Sequence, residues 1–108
     1  RIILIMANSF TYKIIDENEL FSFDYTAVLA PAEVINSAVC NVIVVDGTDP
    51  SPSSILSGSP VINQAIVSQR VYQGLAEVIY RLEMVATTSY GNVFSVVGDL
   101  PVYNVAQV

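Results

Sequence analysis

Residues 74–91, GLAEVIYRLEMVATTSYG, admit two readings, and the choice decides the fold. AEVIYRLEM is rich in helix formers, while VIYRLEMVATTSYG equally describes a strand running into a hairpin turn. As a strand, Val78, Tyr80, Leu82, Met84 and Ala86 point one way. Glu77, Arg81, Glu83 and Thr87 point the other, with Ile79 and Val85 as apolar exceptions. As a helix, Val78, Ile79, Leu82, Val85 and Ala86 would share a face, leaving Tyr80 and Met84 beside Glu77 and Arg81. The ending favours the strand. Thr87-Thr88 disfavours a last helical turn, Gly91 suits the positive-φ position of a short hairpin loop, and another apolar strand follows at once. The expectation is a hairpin of 77–87 with 92–102. In its second arm Phe94, Val96, Leu100 and Val102 share a side, and Gly98 and Pro101 suggest a bulge or an edge position.

Upstream, residues 20–29, LFSFDYTAVL, alternate with Phe21, Phe23, Tyr25, Ala27 and Leu29 on one face, a half-buried strand. APAE (30–33) is a turn, and 34–45, VINSAVCNVIVV, is β-branched enough for a second long strand. DGTDPSPSSILSGSP (46–60) holds three prolines, two glycines and five serines and reads as a loop, either a plain crossover or a partner-binding segment. A short strand, a turn at Asn63-Gln64 and a longer strand through Val67, Gln69 and Val71 follow. FTYKII (10–15) is a possible extra strand and DENE (16–19) an acidic turn. About seven strands with turn signals every ~10 residues predict a single antiparallel β-sandwich over 10–108, preceded by an arm, 1–9. Tyr80, at the start of a late strand just after a tight turn, is where immunoglobulin-like sandwiches place their tyrosine corner; an ordinary buried tyrosine fits as well.

The chain has 108 residues, of which 53% are hydrophobic and only 13% charged, and its net charge is −6. That charge fraction is about half the usual ~25%, which points to a very β-rich core or to a surface covered by partner subunits. The four basic residues form no cluster, so neither nucleic acid nor anionic lipid is expected as a partner. Histidine is absent, removing the commonest general base and metal ligand. Cys40 is alone and sits in an apolar run, where it is expected as a buried structural thiol without an activating base or cation. The carboxylates Asp24, Glu33, Asp46, Asp49, Glu77, Glu83 and Asp99 form no acid/base motif. DGTD lacks calcium-loop spacing, and serines 51–59 have no base beside them. No cofactor and no catalysis are expected. RIILIMANSF is too short to span a membrane. Either Met6 is the true start, or the run is an arm that docks on a neighbour.

FDYTAVLAPAEVINSA (23–38), the 46–60 segment, VSQRVYQGLAEVIYRL (67–82), ATTSYGNVF (86–94) and LPV (100–102) together resemble a group of small tailed-bacteriophage virion proteins. These are described as fibre–tail adaptor or head/neck accessory proteins with immunoglobulin-like sandwich folds. The resemblance covers most of residues 20–103. Its pattern is an aspartate-Tyr strand, a Gly-Glu-x-Ile turn, a Gly-Gly-x-x-Gly-x-x-Tyr-x-Leu segment and a Thr-Thr-Ser-x-Gly hairpin. Three turns depart from it: Gln73-Gly74 stands for Gly-Gly, Glu77 replaces a glycine, and Pro31-Ala32-Glu33 lacks one. The resemblance implies an all-β, immunoglobulin-like structural part of a virus particle. The expected partners are other virion proteins (portal or neck, tail, fibre or major capsid) and further copies of the chain. A head decoration protein is the alternative, and a carbohydrate- or surface-binding fibre module using Tyr72, Tyr90 and Tyr103 a further one. Candidate partner contacts are Ile2, Ile3, Leu4 and Ile5 in the arm, which could add to a neighbour's sheet edge, and Asp49, Pro50, Pro52, Ile55 and Leu56 in the loop. Tyr80, Gly91 and Cys40 are expected to be structural.

Overall fold

Alternation of apolar side chains along the strands leaves each sheet with one face that must leave water, and the two faces close on each other. The computed structural model describes the backbone of residues 2–4 and all of residues 10–107. Within 10–107 lie seven strands: β2 (Lys13–Ile14), β3 (Asn18–Asp24), β4 (Ile35–Asp46), β5 (Leu56–Asn63), β6 (Ile66–Tyr72), β7 (Val78–Thr88) and β8 (Val93–Tyr103). Ahead of them is β1 (Ile2–Leu4). They form an all-β sandwich of two sheets, ordered β1-β3-β6-β5 and β2-β8-β7-β4. The four long ladders are antiparallel, but β1 on β3 and β2 on β8 run parallel, so the sandwich is not wholly antiparallel as the sequence led us to expect.

The opening stretch is a strand. In β7 every second residue from Val78 to Ala86 is at most 3% exposed, and the strand pairs without a break from Val78 opposite Val102 to Thr87 opposite Val93. The turn between them closes with Thr88 N donating to Asn92 O and Gly91 N to Thr88 O, and Gly91 takes φ +80°. From the other strands Phe21, Phe23, Val67, Val71, Cys40, Val42, Val96, Leu100 and Val102 join the core, with Tyr25 just past the end of β3. Burying each large side chain fully is worth about 1.5–3 kcal/mol. Phe10 packs edge-on against the rings of Phe21 and Phe23, with centroids 4.8 and 5.7 Å away. Tyr25 joins the two layers, its hydroxyl donating to Met84 O at 2.6 Å across the core.

Four sequence expectations need correction. The strand expected over 20–29 stops at Asp24, whose carboxylate accepts from Thr26 N, and the chain turns so that Ala27 is exposed. The 46–60 loop is shorter than expected: Pro52–Ile55 forms a 3-10 turn, and β5 begins at Leu56. The FTYKII strand shrinks to the two residues of β2. Phe94, Val96, Leu100 and Val102 do share the inner side of β8, Phe94 only partly buried, and of the two readings of Gly98 and Pro101 the edge position holds: the β7–β8 register is unbroken, and among the described residues β8 pairs with β2 only at Val102 and Tyr103. Lastly, the backbone of Ile2–Leu4 lies in the chain's own first sheet, opposite Ser22–Asp24, and is not free for a neighbour on that side.

Three turn residues that carry side chains take the backbone conformation usual for glycine. Ala32, Gln73 and Glu77 have φ of 67°, 56° and 66°. L side chains enter that region at a cost of about 1–2 kcal/mol. Local bonds hold them there. The Lys13 ammonium, fully buried, donates to Ile14 O, Ile15 O and, at 2.6 Å, to Gln73 O, and Glu77 N donates to Val102 O. Burial lowers the pKa of Lys13, opposed by nearby Glu17, Glu19 and Asp16.

Glycine and non-glycine substitutions therefore have opposite signs. Ala32→Gly and Gln73→Gly are each expected to stabilise the fold by roughly 0.5–1 kcal/mol, the relief of strain less the extra chain entropy. Gly47→Ala is expected to destabilise by more than about 2 kcal/mol, because positive φ is joined there by a backbone clash. A Cβ on Gly47 would lie 2.8 Å from Glu77 O. Gly91 has open space around it, so Gly91→Ala should cost only the conformational part. Urea melts of the four variants check the order.

Candidate functional site

The sheet β2-β8-β7-β4 carries an apolar outer face as well as an apolar inner one. On β4 the inward residues are Cys40 and Val42, while Val39, Ile43 and Val45 point outward and are 59%, 56% and 45% exposed. Beside them on β7 and β8 lie Val85, Val97 and Val93, the last 61% exposed. The charge on this face is sparse and partly self-neutralised. Arg81 meets its cross-strand partner Asp99 in a two-pronged ion pair, Nε to Oδ1 at 2.7 Å and Nη2 to Oδ2 at 3.1 Å. Asn41 Nδ2 donates to Glu83 Oε1 at 3.4 Å. These groups surround a shallow depression of about 190 Å³ lined by Asn41, Ile43, Arg81, Glu83 and Val97. Drug-sized ligand pockets run from about 300 to 1,000 Å³. A broad, mostly apolar face with a small dip suits another protein surface better than an enclosed small molecule.

The outer face of the other sheet differs. A larger depression of about 410 Å³ there is lined by Leu20, Ser57, Ser59, Val61, Asn63, Ser68 and Arg70. It sets Leu20 and Val61 among serines, Asn63 and Arg70, and contains no aromatic ring. Tyr90 stands in the β7–β8 turn, its hydroxyl donating to Pro31 O, and Tyr103 ends β8 against Tyr12. The length of β8 separates the two by roughly 30 Å. Tyr72 ends β6 in the opposite sheet. The three tyrosines form no common stacking platform.

The loop residues divide. Pro50 is exposed and Pro52 half-buried. Ile55 is 1% exposed, which corrects its assignment as a partner contact: the 3-10 turn directs it inward to cap the sandwich, while Leu56 is half-buried against the core. Asp49 is occupied internally, its Oδ1 accepting from Ser51 N and its Oδ2 from the Tyr80 hydroxyl at 2.6 Å. Of the arm residues, Ile5 lies outside the described residues, and Ile2, Ile3 and Leu4 are described only as the backbone of β1. The outward valines of β4 and β8 were not singled out in the sequence. The signal was present in VCNVIVV, where both parities are apolar.

The structural residues sit as follows. Tyr80 is fully buried, its hydroxyl accepting from Leu75 N at 2.9 Å, five residues upstream, while donating to Asp49. Burial and the Asp49 carboxylate push the phenol up to about 12. Cys40 is 8% exposed, and burial, with Glu83 adding, pushes its thiol up to about 12, which disfavours the thiolate. Glu33 ties the 30–33 turn to the hairpin end. Its Oε2 accepts from Thr88 Oγ1 and from Asn92 Nδ2, and its Oε1 from Ala30 N. The Thr88 and Ala30 hydrogen bonds hold its carboxyl below the ordinary 4.5. Among the described residues no group of three or more Asp, Glu, Cys or His side chains is placed to hold a metal ion.

Tyr80→Phe is expected to cost about 1–3 kcal/mol in a thermal or urea melt, since Leu75 N and Asp49 lose a buried partner. The Glu33 carboxylate, with its depressed pKa, contributes stability above the ordinary value of 4.5 that is lost as pH falls below it. The wild-type melting temperature should thus fall more steeply between pH 5 and 3, estimated as roughly the window of carboxylate titration, than that of Glu33→Gln.

Set against protein-family models, curated proteins and solved structures, the chain gives no match.

Proposed function

We propose that the chain is a non-enzymatic structural module of a tailed-bacteriophage particle. It acts as an immunoglobulin-like adaptor or accessory subunit at the neck or tail that packs against other virion proteins and attaches fibres. The observation that carries this reading is the apolar outer face of β4, β7 and β8, where Val39, Ile43 and Val93 are more than half exposed. A chain with only 13% charged residues has little polar surface to keep such a face in water alone, and a packed assembly would cover it.

Two further observations support the family and the fold variant. The orders β3-β6-β5 and β2-β8-β7-β4, with Tyr80 bonded back to Leu75, agree with the strand order and tyrosine corner of immunoglobulin-like sandwiches. Positive φ at Ala32, Gln73 and Glu77 falls where the resembled phage proteins favour glycine. Fold alone implies no function, so the surface carries the argument. A head decoration protein would use the same face, and copy number separates the two.

Mass spectrometry of purified particles of the encoding phage should find the chain at fixed stoichiometry. About a dozen copies would place it at a neck or tail ring and hundreds on the head, as closed symmetries require. Absence from the particle would remove the proposal. Val39→Glu combined with Val93→Glu should leave the melting temperature within a few degrees and cut incorporation at least about tenfold, since exposed charges cost the fold little but block an apolar contact.

A further inference from the structure

The second sheet ends in a strand without lysine, proline or a central bulge, with β5 and the 3-10 turn packed near it. β4 is paired on one side with β7, and no strand adds to its other edge among the described residues. Proteins normally blunt such edges with lysine, proline, bulges or short length. β4 is twelve residues long, and Ile35–Val45 contains no charge and no proline. Its irregularities fall only at its two ends, between Ile35 and Ser37 and between Val44 and Asp46. The stretch between them is a regular template for pairing, with Asn41 near its centre.

We propose that β4 pairs edge to edge with β4 of a second copy of this chain, antiparallel about a two-fold axis at Asn41. The two four-stranded sheets then continue as one. The inference rests on the reading of this sheet as a covered surface, and names what covers its edge.

The strand is complementary to itself in that register. An axis perpendicular to the sheet sets the central residue against its own copy and keeps every side chain on its own face. Centred on Asn41, the outer face places Asn41 opposite Asn41 and Val39 opposite Ile43 on both sides of it. The inner face places Cys40 opposite Val42 and Ala38 opposite Val44. A shift of the axis by one residue sets the Asn41 amide against Val39 or Ile43. Cross-strand pairs of like character are the stabilising unit of a sheet. The Asn41 Nδ2 already donates to Glu83, and its Oδ1 has no partner among the described residues. Across the axis that oxygen accepts an N–H from the second Asn41.

The acidic character of the chain does not oppose this contact. On the outer face the nearest charges belong to β7, where Arg81 is neutralised by Asp99 and Glu83 meets the Asn41 amide. The two β7 strands of the dimer would lie three strand spacings apart, about 14 Å. That exceeds the Debye length of ~8–10 Å at physiological salt. Pairing over so short an edge falls below the ~800 Å² per partner of a standard interface, so the association is reversible.

Sedimentation velocity on the purified chain should show a monomer–dimer equilibrium within the micromolar to millimolar range, and Ile43→Lys should weaken it at least about tenfold with an unchanged melting temperature. The register is read by oxidative cross-linking in a Cys40→Ala background. Asn41→Cys should form a disulfide-linked dimer. Val39→Cys and Ile43→Cys should cross-link poorly alone and well when mixed. A chain that is monomeric at every concentration overturns the inference, as does a dimer indifferent to Ile43→Lys. Loss of the dimer on deletion of residues 1–9 with Ile43→Lys tolerated also overturns it, because an N-terminal strand would then occupy the edge. Monomer in solution together with stoichiometric presence in particles would sink this inference and leave the proposed function standing.

Discussion

One face of β7 must be taken out of water, and the rest of the molecule is arranged around that requirement. Val78, Tyr80, Leu82, Met84 and Ala86 are nearly or wholly inaccessible. A single strand cannot bury its own side chains, so β7 has to lie inside a sheet that has a second sheet above it. It is flanked by β4 and β8, and the opposing cover comes from Phe21, Phe23, Tyr25, Val67 and Val71. Tyr80 is the point at which this requirement meets the loops. Its ring fills the core, while its hydroxyl reaches the rim and binds both Leu75 N and Asp49. The loop after β4 and the link before β7 are held together through that oxygen.

Polar groups do the same work at both ends of the sandwich. At one end Lys13 clamps three carbonyls, including that of Gln73, whose backbone is strained. At the other, Glu33 gathers Ala30, Thr88 and Asn92. Each is a charged group removed from water, and each is tolerated because hydrogen-bond partners replace the lost solvent. The strained turns and these clips belong together: positive φ at a residue with a side chain persists only where the surroundings over-determine it.

With the core closed, what remains to do anything is the outside, and the two outer faces are chemically unlike. Serines, Asn63 and Arg70 interrupt the apolar Leu20 and Val61 on one, while valines and an isoleucine dominate the other. The apolar face runs to the edge of β4. A chain so poor in charge leaves this face poorly served by solvation, and the proposal that it is a subunit rests on that.

Much of this was legible in order of residues. Period-two alternation identified β7, β8 and the start of β3, and Thr-Thr-Ser-Tyr-Gly marked the hairpin, because strand faces and tight turns are local properties of the chain. The shortage of charge left open a very β-rich core or a surface covered by partners. Sequence could not say which parity of VCNVIVV is buried, since both are apolar; only docking against the first sheet turned Cys40 and Val42 in and left Val39 and Ile43 out. Nor could it place Ile55 in the core, dock β2 parallel to β8, or bury Lys13 among carbonyls. Each of those outcomes depends on partners distant along the chain, whose positions exist only once the sandwich has closed.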